Sequence, residues 1–261
     1  MKQSIVAIII ARGGSQRLKR KNVLPFCGKK VLFEWSVVQS CCSHYLGPEN
    51  TYLSTDDDEI AEIGKKHKIH IIRRPNWENP DAISGTVPII HAIEEIRKTR
   101  DFVAHINVLP TSPVRFPDDL DRIIMRYIEL KKLYPDCKEV DWTIPQREIV
   151  VHKYMDNVRM TFWLLNKSWY FGREGIAAHI YEPDHYLDST DNRLDKDIDN
   201  TNAWMEPGKA GRMMYYIEGK WFQQFEIDDK DSFELCEIMM EQYILKGRGA
   251  EIYAEYARSK S

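Results

Sequence analysis

The residues best suited to chemistry stand directly behind the first apolar run of the chain. Ile5–Ile10 is followed by Ala11-Arg12-Gly13-Gly14-Ser15-Gln16-Arg17-Leu18-Lys19-Arg20-Lys21-Asn22. Two adjacent glycines let a backbone turn tightly and bring its N–H groups close to an anion. Arg12, Arg17 and Lys21 can neutralise a polyphosphate, and arginine adds forked hydrogen bonding. The spacing is neither G-x-x-x-x-G-K-[ST] nor G-x-G-x-x-G, so neither a P-loop ATPase nor a dinucleotide fold is indicated. A solvated basic loop is the other reading of the same residues.

Two further constellations carry less. Asp195, Asp197, Asp199 and Glu206 fall at carboxylate positions of an EF-hand loop, but the sixth position is Asn200 and the eighth Asn202. Without the turning glycine or flanking amphipathic helices, a solvated acidic loop is the expectation. The cysteines, Cys27, Cys41, Cys42, Cys137 and Cys236, show neither CxxC nor Cys/His ligand spacing. They read as thiols in a reducing compartment, not as a zinc site.

The elements that must position the basic loop follow from periodicity. Ser4–Ile10 is continuous and β-branched, as a central parallel strand should be. Strands are predicted again at Asn50–Thr55, Ile69–Arg73 and Phe102–Leu109. Helices are predicted at Lys30–Cys42, Asp56–His67, Ser84–Lys98 and Pro117–Leu130. Asp56 with Glu59 makes a capping pair for the second helix, and Ser84 caps the third. The alternation argues for an α/β fold with a doubly wound, mostly parallel sheet, whose ligands bind past the carboxyl ends of the strands. The loop leaves the first strand at such an end.

The pattern then loosens. Val140 to about Tyr181 is rich in Trp, Tyr and Val and reads as antiparallel strands, and Asp184–Trp204 as a long polar loop. "GRMMYYI" and "KWFQQFEI" read as strands, and Asp228–Lys246 as an amphipathic terminal helix. The whole, residues 1–261, is expected to be one domain with a divergent insertion at about 140–215. A net charge of −3 with 43% hydrophobic residues argues for a real core and against a general nucleic-acid or membrane-surface binder. No apolar stretch is long enough to span a bilayer, and Arg12 interrupts the N-terminal run that would imitate a signal peptide. A soluble cytoplasmic protein is the expectation.

Taken together, the loop motif with Pro25 and Gly28-Lys29 resembles the N-terminal signature of the acylneuraminate cytidylyltransferases, which activate sialic, legionaminic and pseudaminic acids. Further segments resemble the family in its order: "STDDDEIAE" (Ser54–Glu62), Arg73-Arg74-Pro75 with Asp81 and Ser84, "LPTSPVR" (Leu109–Arg115), and "FEIDDKDSFELCE" (Phe225–Glu237). The resemblance covers roughly the first half of the chain and its last fifth. The enzyme that activates KDO, an eight-carbon sugar acid, has a different signature without Gly-Gly-Ser.

The resemblance implies a nucleotide-diphospho-sugar-transferase-like fold with an inserted antiparallel dimerisation element, and a homodimer. It implies CMP transfer from CTP to a nine-carbon sugar acid, with pyrophosphate leaving. Arg12, Lys21 and Asp228 are then the catalytic residues. Gly13, Gly14, Ser15, Arg17, Asn22, Arg74 and Ser84, with Arg12 and Lys21, would bind the nucleotide. Leu109, Thr111, Ser112 and Arg115 would face the sugar, with turn formation and helix entry as the alternative for the last three. Magnesium, or manganese, would be held by Glu226 and Asp228, which a period of two puts on one face of an extended segment. A helix-capping role for Asp228 or Asp229 competes with that assignment.

Two residues depart from the family's pattern. Glu226 stands where aspartate is usual, which lengthens the arm of one ligand. Leu109 replaces a glutamine, and leucine can neither donate nor accept a hydrogen bond. A nucleotidyltransferase for another sugar, and a nucleotide-binding homologue with impaired chemistry, therefore stay open beside the synthetase reading.

Overall fold

The computed structural model describes residues 4–28, 30–77, 85–133, 135, 139–145, 172–181, 183–184, 216–218, 220–223 and 225–259. The first half alternates as its periodicity predicts. Strands β1 (Ile5–Ile10), β2 (Thr51–Thr55), β3 (His70–Arg73) and β4 (Ala104–Val108) are interleaved with helices α1 (Leu32–Cys42), α2 (Asp58–Lys66), α3 (Thr86–Arg97) and α4 (Asp119–Leu133). Three more strands follow, β5 (Glu139–Pro145), β6 (Gly172–Tyr181) and β7 (Tyr216–Glu218), and then α5 (Lys230–Met239) and α6 (Arg248–Ser259).

All seven strands form one sheet in the order β3-β2-β1-β4-β6-β5-β7. The first four run parallel, and β6 pairs antiparallel with both β4 and β5. The fold is thus α/β, doubly wound and mostly parallel in its first half, with an antiparallel extension. Strand β1 shows why its sequence is apolar throughout. Ile5, Ala7 and Ile9 pack with residues of α1, α2 and α4 on one face, while Val6 and Ile8 pack with α3 on the other. A strand covered on both faces reads as a near-continuous apolar run.

A third core holds the C-terminal segment to the basic end of the molecule. Phe26, Leu32 and Trp35 pack with Phe222, Ile227, Phe233, Cys236, Met240 and Ile244. Phe26 meets Phe233 edge-on at 5.2 Å, and the Cys27 N–H donates to Glu237 Oε1 at 3.0 Å.

The structure corrects several expectations. "KWFQQFEI" is not a strand: Trp221–Gln223 is a 3-10 turn. Phe222 and Ile227 turn inward to the third core, so their burial is not that of a sheet face. The terminal helix does not run unbroken to Lys246. It ends as α-helix at Met239, passes through a π-helical turn (Met240–Leu245), and the chain continues as α6. Gly249 allows that junction, since a Cβ there would stand 2.5 Å from the Ile244 carbonyl oxygen. The cap of α2 is Asp57, whose side chain accepts from the Ile60 N–H, and not Asp56. The N-cap position of α3 is Gly85, without a side-chain cap, and not Ser84. No helix among the described residues is long and apolar enough to cross a membrane. Cys27, Cys41, Cys42 and Cys236 form no disulfide. Ser84, Asp81, Cys137 and the Asp195–Glu206 loop lie outside the described residues.

Candidate active site

Strand order changes direction between β1 and β4, since β2 lies on one side of β1 and β4 on the other. A crevice opens at such a point past the carboxyl ends of the strands. Here a cavity of about 500 Å³ lies there, with Arg12, Arg17, Lys21 and Asn22 from the loop after β1 in its wall. Arg74, following β3, and Leu109 and Thr111, following β4, also face it. So do Glu226 and Asp228, from the segment before α5.

Hydrogen bonds through Ile227 hold these pieces in register. Its N–H donates to the Thr111 carbonyl at 2.7 Å, and its own carbonyl accepts from Lys21 Nζ at 2.5 Å. The Ile227 side chain is fully buried in the third core. The flanking acidic side chains project into the cavity beside the lysine. Thr111 Oγ1 donates to Glu226 Oε1 at 2.9 Å, and Arg17 pairs with Asp228 at 2.7 Å. The longer arm of Glu226 therefore has a use here, since it brings the carboxylate to the threonine. Burial holds the Lys21 ammonium below the ordinary lysine range, against the opposing pull of Asp228 and Glu226.

Asp229, not Asp228, caps α5: its side chain accepts from the Ser232 N–H at 2.9 Å. This resolves the competing role for Asp228. Glu226 and Asp228 line one cavity, and each has one carboxylate oxygen engaged by Thr111 or Arg17. Among the described residues no group of three or more His, Cys, Asp or Glu side chains could hold a metal ion. Two carboxylates beside a cation-lined cavity fit a hard divalent ion that completes its shell with phosphate oxygens and water.

The glycines have different roles. Neither Gly13 nor Gly14 has a left-handed backbone. The Gly13 N–H donates to Asp56 Oδ1 at 2.9 Å, and a Cβ at Gly13 would stand 2.3 Å from Asp57 Oδ2. Around Gly14 a Cβ would meet open space. Gly13→Ala is therefore expected to destabilise the protein by about 1–3 kcal/mol, because Asp57 must move. Gly14→Ala should stay within about 0.5 kcal/mol. Denaturant unfolding of the two variants checks the contrast, and equal losses would contradict it.

Asn22 is buried and donates from Nδ2 to the Arg12 carbonyl at 2.9 Å; its Oδ1 has no partner among the described residues. An orphaned buried acceptor on a cavity wall is suited to a ligand donor. Arg74 is held by Ser54, donating to Oγ at 3.0 Å and to the carbonyl at 2.9 Å. Burial draws its pKa down to about 10, still charged at neutral pH.

Other predicted residues stand elsewhere. Ser112 and Arg115 are buried and do not line the cavity. Arg115 donates to Gln39 Oε1 at 2.8 Å, to Ser36 Oγ at 2.6 Å and to the Leu109 carbonyl at 3.2 Å. It braces the β4 loop against α1 from behind. Arg20, on the same basic loop, does not line the cavity and pairs with Asp57 at 2.9 Å and Glu59 at 2.5 Å. Sequence reasoning missed Asp56 and Trp77, which also line the cavity. Asp56 looked like a helix cap, and the tryptophan carried no motif.

Residues 6–175 match the sequence profile of a protein family described as Cytidylyltransferase. The chain is 32% identical over 127 residues to a pseudaminic acid cytidylyltransferase of Campylobacter jejuni, covering 48% of this chain and 53% of that one. It is 29% identical over 124 residues to a CMP-N,N'-diacetyllegionaminic acid synthase of Legionella pneumophila, covering 44% and 50%. The chain thus spans about half the length of these curated relatives. Among solved structures, a CMP:2-keto-3-deoxy-manno-octonic acid synthetase complexed with CTP superposes with a TM-score of 0.64 at 17% identity, over 91% of this chain and 98% of that one. That likeness is one of fold.

Proposed function

The chain belongs to the cytidylyltransferase family, and from that premise we propose that it transfers CMP from CTP to the anomeric hydroxyl of a nine-carbon, sialic-acid-like sugar acid. The observation that carries the reading is the convergence of two charge sets on one cavity at the β1–β4 switch point. There the cations Arg12, Arg17 and Lys21 stand with the carboxylates Glu226 and Asp228. A polyanionic nucleotide needs the first set. Controlled placement of its charge during transfer needs both.

In this reading the sugar hydroxyl oxygen bonds to the α-phosphorus as the bond to the β-phosphate oxygen breaks. The hydroxyl proton is released and pyrophosphate departs. Lys21 and Arg12 bind the triphosphate and stabilise the charge that moves onto the leaving group. Arg17 adds a fork at the mouth. Asn22 offers its unpaired Oδ1, and Ser15 in the cavity wall brings backbone close to phosphate, while Gly13 and Gly14 line a second cavity beside it and the Gly13 N–H is already given to Asp56. Arg74 and Ser84 serve the nucleoside side. Glu226 and Asp228 would hold magnesium or manganese, which supplies charge neutralisation at the phosphates when bound. Leu109 and Thr111 face the sugar from the β4 loop, while Ser112 and Arg115 support that loop from beneath. The reading extends to a homodimer, supported by the resemblance alone, and to the cytoplasm, supported by thiols without ligand spacing and by the lack of a bilayer-length apolar stretch.

The test is to incubate the protein with each NTP, magnesium and a panel of nonulosonic acids, and to measure pyrophosphate release. Release with CTP and one or more of the acids is expected. Absence of release with every combination would sink the reading. Leu109→Gln, which restores a donor and an acceptor to the wall, is expected to change the ratio of kcat/KM between two sugar acids by about tenfold while the KM for CTP holds. An unchanged ratio would remove Leu109 from the sugar contacts.

A further inference from the structure

Arg20 immediately precedes Lys21, and its geometry is unusual for an arginine on a basic loop. Its backbone is left-handed, with φ 53° and ψ 32°. A residue with a side chain takes that conformation against its intrinsic preference and holds it when surrounding contacts demand it. The contacts are at hand. Nη1 donates to Asp57 Oδ2 at 2.9 Å and Nη2 to Glu59 Oε2 at 2.5 Å, so the guanidinium grips the start of α2. The Arg20 carbonyl accepts the Val23 N–H at 2.9 Å, opening the 3-10 turn Lys21–Val23. On the far side of Lys21, Asn22 is tied to the Arg12 carbonyl. Lys21 is thus held between two anchors, one on α2 and one on the start of its own loop.

Asp57 is common to both ends of the loop. It caps α2 through Oδ1, pairs with Arg20 through Oδ2, and lies where a side chain at Gly13 would have to be. The Arg20 and Glu59 side chains are 41% and 58% exposed and Asp57 is 14% exposed, and ion pairs to so exposed an arginine contribute little to stability. The clamp therefore has more to offer as a register device than as a source of stability.

We propose that Arg20 is a positioning residue, which through Asp57 and Glu59 fixes the backbone that aims Lys21 into the cavity. The proposal rests on the phosphate-binding role given to Lys21 above.

The test compares Arg20→Ala with Lys19→Ala, which removes the same charge from an exposed neighbour. Arg20→Ala is expected to lower kcat for pyrophosphate release about 10- to 100-fold with the melting temperature nearly unchanged. Lys19→Ala should stay within about twofold of wild type. Arg20→Lys should recover only part of the loss, since a point charge cannot span both carboxylates as the fork does. In a Lys21→Ala background, Arg20→Ala should change the rate by no more than about twofold, because positioning acts through the lysine. Arg20→Gly suits the left-handed backbone but lacks the guanidinium, and it should show the same loss as alanine.

Full activity in Arg20→Gly, an equal loss in Lys19→Ala, or full additivity with Lys21→Ala would each overturn the proposal. If the wild-type protein releases no pyrophosphate, the functional reading fails by itself. The clamp is then judged by calorimetric titration with inorganic pyrophosphate, where the same order of variants is expected and a loss shared equally by Lys19→Ala and Arg20→Ala refutes it.

Discussion

Lys21→Ala is expected to lower pyrophosphate release from CTP and the accepted sugar acid by about 10²–10³-fold, with little change in the unfolding midpoint. The physical case begins with placement. The Lys21 ammonium lies in the wall of the cavity, its Nζ donating to the Ile227 carbonyl. A partly buried cation next to a developing negative charge acts through a lower dielectric than a solvated one. The group it touches is a neutral carbonyl, so truncation leaves no charge stranded there. The loss should fall on kcat as well as on affinity, because charge on the leaving group grows toward the transition state.

The same lysine sets a pH expectation. Burial lowers its pKa, so as pH rises it loses its proton earlier than an ordinary lysine would. The alkaline limb of kcat/KM, which reports the free enzyme, should therefore begin below the ordinary lysine range. Lys21→Arg should move that limb upward, since a guanidinium stays protonated. A limb that does not move with this substitution would assign it to another group. A Lys21→Ala variant with undiminished turnover would remove the lysine from the chemistry altogether.

Asp228→Asn is expected to reduce turnover by about a hundredfold or more at fixed magnesium, and to raise the magnesium concentration needed for half-maximal rate. The substitution keeps volume and removes charge. It leaves the cap of α5 intact, because Asp229 performs that role. It also weakens the hold on Arg17, which pairs with Asp228 at the mouth of the cavity. Loss of rate with an unchanged magnesium requirement would reassign Asp228 to the placement of Arg17. Glu226→Asp makes a useful companion. Its shorter arm gives up the contact with Thr111, and the metal titration then reports whether that contact orients a ligand.

Much of the fold could be read in advance because its signals are local. A β-branched run such as Ile5–Ile10 can hardly be anything but a doubly covered strand, and α1 to α4 fall within a few residues of the predicted spans. The loop after β1 was recognisable for the same reason: its glycines and cations are consecutive. Where several residues competed for one local role, prediction erred by a residue. Asp56 and Asp57 are chemically identical cap candidates, and packing against Gly13 and Arg20 decided between them.

By itself the sequence determined the strand that carries the basic loop, the charge of that loop and the α/β alternation, since periodicity and composition act over a few neighbouring residues. Only the tertiary structure decided what each charge does. It turned Arg20 onto α2, buried Arg115 behind the β4 loop, and separated Asp228 from the cap. It also joined Lys21 to the carbonyl of Ile227, a residue 206 positions away. That contact exists because the third core draws the C-terminal segment against the basic loop, and no pattern within either segment encodes the distance between them.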